Sequence, residues 1–235
     1  MICWVVPLKV KIISFDVWGT ILNLDLMLKS FIDSLNELIG EDVSEDVMMV
    51  RKRVKELRKN FEIEPGRDFE LSQELLAERL NIEVDVVRRA AARAMLKIDE
   101  SIVMDGVHQV LRFVEDNGLR SVIIGNVMFW PSSYTRLILE RFKLAEYFDR
   151  QYYSDEVGAY KPMKEIFLKP LSEFRINPGE AVHVGDSFFE DFQGALDAGL
   201  YAVLISRRSR LETIGEMGFV IGDIRELITL LKKEF

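Results

Sequence analysis

The segment Lys11-Ile12-Ile13-Ser14-Phe15-Asp16-Val17-Trp18-Gly19-Thr20 joins a strand pattern to a carboxylate and a turn. Its first half continues from Val10 as a short apolar run rich in β-branched residues, which predicts a buried strand. Asp16 follows this strand directly, and an ionisable group in that place costs free energy unless it has partners. Because ligands bind beyond the carboxyl ends of strands in open α/β sheets, Asp16 is a candidate nucleophile or metal ligand. The alternative is an aspartate that only caps the following turn.

Strand and helix patterns alternate along the chain after residue 104. Further strands are predicted over residues 121–124, 150–153, 181–184, 202–205 and 219–221, and helical patterns separate most of them. Parallel strands need long crossover connections, so this alternation predicts a parallel sheet covered by helices. We therefore expect an α/β fold built on a Rossmann-like, doubly wound parallel sheet.

The region between Leu22 and Ile98 shows no convincing strand pattern, and four amphipathic helices are predicted there instead. The chain therefore divides into an α/β core, residues 1–21 and 99–235, and an inserted helical domain, residues 22–98. The second of these helices carries a basic run, which we interpret as a solvated helix face. A phosphate-binding patch is the alternative for this run, which consists of Arg51, Lys52, Arg53, Lys55, Arg58 and Lys59.

Four predicted strand ends carry polar groups, namely Asp16, Asn126, Lys161 and Asp186. Parallel strands end at the same edge of a sheet, so these side chains are expected to lie close together. Two carboxylates and a lysine form a site for a cation and an anion together. Asp191 follows Asp186 by about one helical turn, and magnesium prefers such oxygen ligands. The alternatives are a helix-capping role for Asp186, a surface position for Asp191 and a solvated Lys161.

Four motifs in this order resemble those of the haloacid dehalogenase (HAD) superfamily. They are Phe15–Thr20, the end of the second strand at Gly125-Asn126, Gly158-Ala159-Tyr160-Lys161-Pro162, and Val184-Gly185-Asp186-Ser187-Phe188-Phe189-Glu190-Asp191. The resemblance covers about residues 10 to 206. In this superfamily, an insert directly after the first motif is a mobile helical cap over the active site, and residues 22–98 match that position.

The resemblance implies a site and a mechanism. Asp16 attacks phosphorus and forms an aspartyl-phosphate, which water cleaves, while Lys161 balances the charge. Mg²⁺ is held by Asp16, Asp186, Asp191 and the backbone carbonyl of Trp18. The implied substrate is a small phosphorylated metabolite. Substrate contacts are expected from Gly19, Thr20, Gly125, Asn126 and Arg67; for Arg67, in the loop after the second helix, a solvated side chain is the alternative.

Two positions depart from the pattern of typical superfamily phosphatases. Trp18 stands where those enzymes carry an aspartate that acts as general acid and base, a role worth roughly 10² to 10⁴ in rate. Gly125 stands where they carry a serine or threonine. An aromatic residue at the position of Trp18 is similar to the pattern of the 2-haloacid dehalogenases, which need no magnesium. Asp186 and Asp191 nevertheless favour a bound metal, and therefore a phosphate ester as the substrate. Phosphatase is therefore the main hypothesis, with a dehalogenase-like hydrolase or a catalytically degenerate ligand-binding protein as alternatives.

Composition excludes several other classes of function. The net charge is −8 and the isoelectric point is about 5.0, whereas general binders of nucleic acids or anionic membranes are basic. Cys3 is the one cysteine, so no intrachain disulfide can form. The apolar segment 1–7 is too short to span a membrane. We expect a cytoplasmic protein, monomeric or dimeric, whose 30% of charged residues is typical of a thermophile.

Overall fold

The computed structural model describes residues 10–207 and 211–235, so segment 1–7 and Cys3 lie outside the described residues. Within these ranges, seven strands form one sheet in the order β3-β2-β1-β4-β5-β7-β6. All neighbours pair in parallel except β6, which is antiparallel to β7. The strands are β1 (Ile12–Phe15), β2 (Arg120–Gly125), β3 (Arg150–Tyr153), β4 (Ala181–Gly185), β5 (Tyr201–Ile205), β6 (Glu212–Ile214) and β7 (Gly218–Ile221).

Helices cover both faces of the sheet, as a doubly wound fold requires. Four helices lie between β1 and β2 in sequence: α1 (Leu24–Ile39), α2 (Ser44–Lys59), α3 (Asp68–Leu80) and α4 (Val84–Lys97). The remaining α-helices are α5 (Val107–Asp116), α6 (Ser132–Arg141), α7 (Ser154–Val157), α8 (Lys164–Phe174), α9 (Gly194–Asp197) and α10 (Glu226–Glu234). Short 3₁₀ turns occupy Glu100–Ile102, Ala145–Tyr147 and Pro178–Glu180, and a π-helix occupies Phe188–Gln193.

Strand β1 lies in the middle of the sheet, with β2 on one side and β4 on the other. Its side chains alternate between two hydrophobic clusters, because Ile13 and Phe15 face one and Ile12 faces the other. Helices α5 and α10 pack in the first cluster, and α8 and α9 pack in the second. Phe15 is in register with Ile123 of β2 and with Val184 of β4. The residues that follow these three strands therefore meet at one edge of the sheet.

The helical insert packs on the loop that follows β2. Phe31 of α1 stacks on Phe129 of this loop, with ring centroids 5.2 Å apart. Gln73 of α3 donates a hydrogen bond to the carbonyl of Phe129 at 2.9 Å, and the Phe129 amide donates to Ser72 Oγ at 2.8 Å. Apolar and polar contacts thus fix the insert to the loop that begins where β2 ends.

The elements that differ from the sequence prediction are short or irregular. Strand β6 was not predicted because its three residues are all exposed, so it carries no apolar alternation. The helical segment between β4 and β5 begins as a π-helix, Phe188–Gln193, before α9 continues it. In this segment the Asp191 carboxylate accepts a hydrogen bond from the Ser187 amide at 2.9 Å, so the first turn wraps around its own acidic side chain. Such π-turns are frequent at functional sites.

Candidate active site

A buried lysine lies at the centre of the edge where β1, β2 and β4 end. The ammonium Nζ of Lys161 is 2.6 Å from Asp16 Oδ1 and 2.6 Å from Asp191 Oδ1. It also donates to the carbonyl of Ile124, at the end of β2, at 2.8 Å. Since Lys161 is only 1% exposed, these three oxygens replace its hydration shell. The structure therefore brings the predicted nucleophile and the predicted lysine into direct contact.

Three carboxylates surround the same point and form a donor set suited to a hard cation. Asp16, Asp186 and Asp191 each offer one oxygen, and these oxygens all lie within 4.8 Å of one another. Lys161 pairs with Asp16 and Asp191 and contributes one positive charge, so the three ionised carboxylates would keep an excess of two negative charges. A divalent cation balances that excess, and Mg²⁺ takes carboxylate oxygens while retaining several of its waters. The residues present therefore fit Mg²⁺.

The pKa values of the cluster reflect burial and crowding of like charges. Burial raises the pKa of Asp16 to about 8, against the opposing effect of Lys161, and the neighbouring Asp191 adds to the rise. Loss of hydration, followed by repulsion from Asp191, raises the pKa of Asp186 to about 6. Burial would also raise the pKa of Asp191, but Lys161 and His183 outweigh it and hold that pKa below its usual value. Asp16 and Asp186 are thus the carboxylates that most need a further cation.

Asp191 is held in place from two sides. Its Oδ1 is 3.2 Å from His183 Nε2, and the other ring nitrogen, Nδ1, is 2.9 Å from Ser14 Oγ. Burial lowers the pKa of His183, which favours a neutral ring that donates from Nε2 and accepts at Nδ1. A Cβ at Gly185 would overlap the Asp191 carboxyl group, so glycine is required where β4 ends. His183 is therefore a buried structural histidine whose two ring nitrogens both have partners.

The turn after Asp16 brings the main chain close to Asp186. Gly19 has a φ of +100°, and a Cβ there would overlap the Asp186 carboxylate. The backbone at residues 18–19 therefore lies against one of the acidic groups, which is the place expected for a main-chain metal ligand. The Trp18 indole donates to Thr135 Oγ1 at 3.2 Å and packs edge-on against Trp130 at 5.4 Å. These contacts hold the ring where related phosphatases carry an acid.

Asn126 and Gly125 were predicted to contact substrate, but both are in close contact with other parts of the protein. The Asn126 amide donates to the Lys161 carbonyl at 2.9 Å and accepts from the Lys161 N–H at 2.8 Å. It also approaches Glu190 Oε1 at 3.3 Å, so both ends of the amide are engaged by protein. A Cβ at Gly125 would lie 2.9 Å from the Tyr153 ring, which leaves no room for a larger residue. Asn126 therefore positions the segment that carries Lys161.

The remaining predicted substrate contacts lie outside the cavity above Asp16. Thr20 is buried and, with Gly19, lines a separate depression on the neighbouring surface. The Arg67 side chain is about half exposed and forms an ion pair with Glu74 at 3.2 Å. Neither residue is among those that line the cavity over the carboxylates. The structure thus brings together Asp16, Lys161, Asp186 and Asp191, but it does not bring Arg67 or Thr20 to them.

A cavity of about 70 Å³ lies over the carboxylates, and the helical insert forms much of its wall. Apolar side chains of α1 and of the loop after β2 form one part, namely Leu24, Leu28, Met128, Phe129 and Trp130. The cationic part comes from α2, which contributes Arg51, Lys55 and Arg58. The interpretation of the α2 basic run as a solvated face is therefore wrong for these three residues, although Lys52, Arg53 and Lys59 are exposed as expected.

Helical spacing explains which of the six basic residues face the core. Arg51, Lys55 and Arg58 are separated by four and three positions, so they share one face of α2. Arg58 is buried, and its guanidinium lies 2.7 Å from Asp68 Oδ2 and 3.5 Å from Glu190 Oε1. The signal was present in the sequence, but a basic run interrupted by apolar residues is more often solvated, and charge alone does not identify the inward face.

Comparisons with known proteins agree with this geometry. The chain matches the family model of haloacid dehalogenase-like hydrolases over residues 10–199. It is 31% identical over 160 residues to the pyrimidine 5′-nucleotidase YjjG of Escherichia coli, covering 67% of this chain and 68% of that protein. It is 25% identical over 236 residues to a glyceraldehyde 3-phosphate phosphatase of Pyrococcus furiosus, covering 96% and 95%. The structure of a HAD phosphatase from Thermococcus onnurineus is similar with a TM-score of 0.67 and 26% identity, covering 95% and 99%.

The chain therefore belongs to the haloacid dehalogenase-like hydrolases, and it is an enzyme of that class. The resemblance inferred from the four motifs is confirmed, as is the α/β fold class. In the part of the chain that the structure describes, no helix combines the length and apolar character needed to cross a membrane.

Proposed function

We propose that this hydrolase is a magnesium-dependent phosphatase of small phosphorylated metabolites that acts through an aspartyl-phosphate. The observation that carries this proposal is the cluster of Asp16, Asp186 and Asp191 around one buried lysine. A phosphate monoester is an anion with oxygens on all sides, and a site that combines a hard cation with an ammonium suits it. The relatives named as phosphatases and as a nucleotidase act on the same class of bond.

In the proposed mechanism, Asp16 is the nucleophile. One of its carboxylate oxygens forms a bond to phosphorus while the bond from phosphorus to the substrate's ester oxygen breaks, and that oxygen leaves as an alkoxide that takes a proton from water. Water then cleaves the aspartyl-phosphate, which releases inorganic phosphate and regenerates the carboxylate. Lys161, 2.6 Å from Asp16, favours the ionised nucleophile and balances charge on the incoming phosphoryl group. Asp191 and Asn126 keep Lys161 in that place.

The metal would be held by Asp16, Asp186, Asp191 and the backbone carbonyl of Trp18. When bound, Mg²⁺ supplies positive charge to the phosphoryl oxygens and lowers the pKa of the buried carboxylates. We further propose that residues 22–98 act as a cap that excludes water from the cavity, because α1 and α2 form its outer wall. Substrate contacts then come from the side chains that line the cavity.

The position of Trp18 favours one alternative function. An indole offers no proton equilibrium for the leaving alcohol, whereas halide leaves carbon without a proton, as in the 2-haloacid dehalogenases. Asp186 and Asp191 argue against that function, since displacement of halide by Asp16 requires no metal. Phosphatase activity should therefore be greatest with esters whose alcohols leave readily as anions.

The deciding experiment is release of p-nitrophenol from p-nitrophenyl phosphate, with Mg²⁺ and with a chelator. This leaving group needs little protonation, so the absence of an acid at Trp18 matters least. We expect turnover that requires Mg²⁺ and that falls at least about 10³-fold in Asp16→Asn. Asp25→Asn, the same change on an exposed residue of α1, is the matched control. Turnover that persists in Asp16→Asn or in chelator would refute the proposal, and chloride release from 2-chloropropionate would support the alternative.

A further inference from the structure

Two cations of α2, Arg51 and Lys55, lie at the mouth of the catalytic cavity. Arg51 and Lys55 line the cavity above Asp16, and both also line a wider groove of about 600 Å³ outside it. They therefore occupy the junction through which a bound substrate's leaving group would extend. Both side chains are half-buried, in contrast to the exposed Lys52 and Arg53 between them.

The third basic residue on this face of α2, Arg58, already has acidic partners and so differs from Arg51 and Lys55. Arg58 is paired with Asp68 and Glu190. Among the residues that the structure describes, neither Arg51 nor Lys55 forms an ion pair or hydrogen bond. Like charges one turn apart on a helix repel each other, so α2 carries a local excess of positive charge that faces the cavity.

Among the described residues, neither cation forms an ion pair with the carboxylates beside which the phosphoryl group would lie. There Lys161 contacts Asp16, and the carboxylates form the donor set for a metal. Lys55 lines the same cavity as Asp186, at the edge of that site, while Arg51 lies one helical turn nearer the start of α2. Guanidinium groups bind carboxylates and phosphates through paired hydrogen bonds, and an ammonium adds a point charge.

From this placement we propose that Arg51 and Lys55 are specificity-determining residues that bind a second anionic group on the leaving alcohol. The preferred substrates are compact phosphate monoesters that carry a carboxylate or a second phosphate a few bonds from the ester. This inference rests on the proposed phosphatase function and narrows its substrate class. The apolar wall on the opposite side, with Leu28 and Met128, contacts the carbon chain between the two anionic groups.

The test compares ligands that differ only in the second anion. Binding of 3-phosphoglycerate and of glycerol 3-phosphate to the Asp16→Asn protein is measured calorimetrically in Mg²⁺, so that no turnover is needed. Ethylene glycol bisphosphate and 2-hydroxyethyl phosphate form a second pair, which tests a phosphate in place of the carboxylate. We expect the additional anion in at least one pair to strengthen binding about tenfold to hundredfold, the range for charge-assisted hydrogen bonds.

Substitution then assigns that preference to the two cations. Adding Arg51→Gln and Lys55→Gln should reduce the preference to below about threefold, because the neutral amides keep helix propensity but lose the charge. Lys29→Gln with Arg53→Gln removes two exposed charges and is the matched control, with the preference retained. Equal binding within both pairs, or a preference that survives in the Arg51→Gln/Lys55→Gln protein, would overturn the inference. Turnover of p-nitrophenyl phosphate by the wild-type enzyme separately decides the phosphatase function.

Discussion

Replacing Lys161 by methionine should lower the free energy of unfolding, because it removes the positive charge that stabilises the acidic cluster. The ammonium is buried and contacts Asp16 and Asp191 at 2.6 Å each, so its loss leaves two carboxylates close together without a cation. Removing one partner of a buried ion pair costs about 3 to 5 kcal/mol. For a domain of this size, each kcal/mol lowers Tm by roughly 2 to 4 °C, which predicts a decrease of roughly 6 to 20 °C.

The assay is urea and thermal unfolding followed by circular dichroism in chelator at about pH 9, where Asp16, whose pKa is raised to about 8, is ionised. Lys169→Met is the matched control, because Lys169 pairs with Glu173 at 3.2 Å on the exposed surface, where ion pairs contribute about 0 to 1 kcal/mol. Two further results are expected if charge is the cause. Saturating Mg²⁺ should reduce the loss of stability, and a second substitution, Asp16→Asn, should restore part of it.

A loss below about 1 kcal/mol would refute this account of the cluster, since it would show that Asp16 and Asp191 tolerate each other without the ammonium. A large loss that neither Mg²⁺ nor Asp16→Asn diminishes would also contradict it. In that case the aliphatic part of Lys161, rather than its charge, would hold the strand ends together.

Three further predictions concern groups around the same cluster. Because burial raises the pKa of Asp16 to about 8, the metal-free folded state binds more protons than the unfolded state; the stability supplied by this group should therefore fall as pH rises from about 4 to 8, measured as the difference between wild type and Asp16→Asn in chelator. Gly19→Ala should weaken Mg²⁺ binding at least about tenfold by calorimetry, because its Cβ would displace Asp186, whereas Gly40→Ala, at a φ of +89° with open space around it, should not. Trp18→Asp should raise turnover of glycerol phosphate relative to p-nitrophenyl phosphate by about 10-fold to 100-fold if the missing acid limits the rate; an unchanged ratio of the two rates would contradict that cause.

The residues at the ends of the buried strands were predictable because their signal is local. A β-branched run followed by Asp16, or by Gly185-Asp186, combines strand propensity with an ionisable residue. Such a residue costs free energy at the end of a buried strand unless it has partners. The parallel topology then brings these residues together without further information. The prediction was therefore most reliable where backbone geometry alone determines the position of a side chain.

The outer wall of the cavity could not be obtained in this way. Whether Arg58 or Arg67 reaches the site depends on how α2 and α3 pack against the core, and that packing is decided by contacts distant in sequence. Asn126 illustrates the same limit. Its position at a strand end was predicted, but its hydrogen bonds to the Lys161 backbone, 35 residues away, became visible only in the folded chain.

The hydrogen bonds of Arg58 join the helical insert to the edge of the sheet that carries the carboxylates. Its guanidinium donates to Asp68 and to the carbonyl of Val127, and it also faces Glu190, the residue before Asp191. Asp68 in turn accepts from Ser154 Oγ at 2.7 Å, at the start of α7 in the core. A buried arginine is stable only when such partners surround it, so any opening of the helical insert must break or relocate these hydrogen bonds. The helix that carries Arg51 and Lys55 is thereby tied to the loops that position Asp191, so a movement of the proposed cap would alter the geometry of the carboxylates.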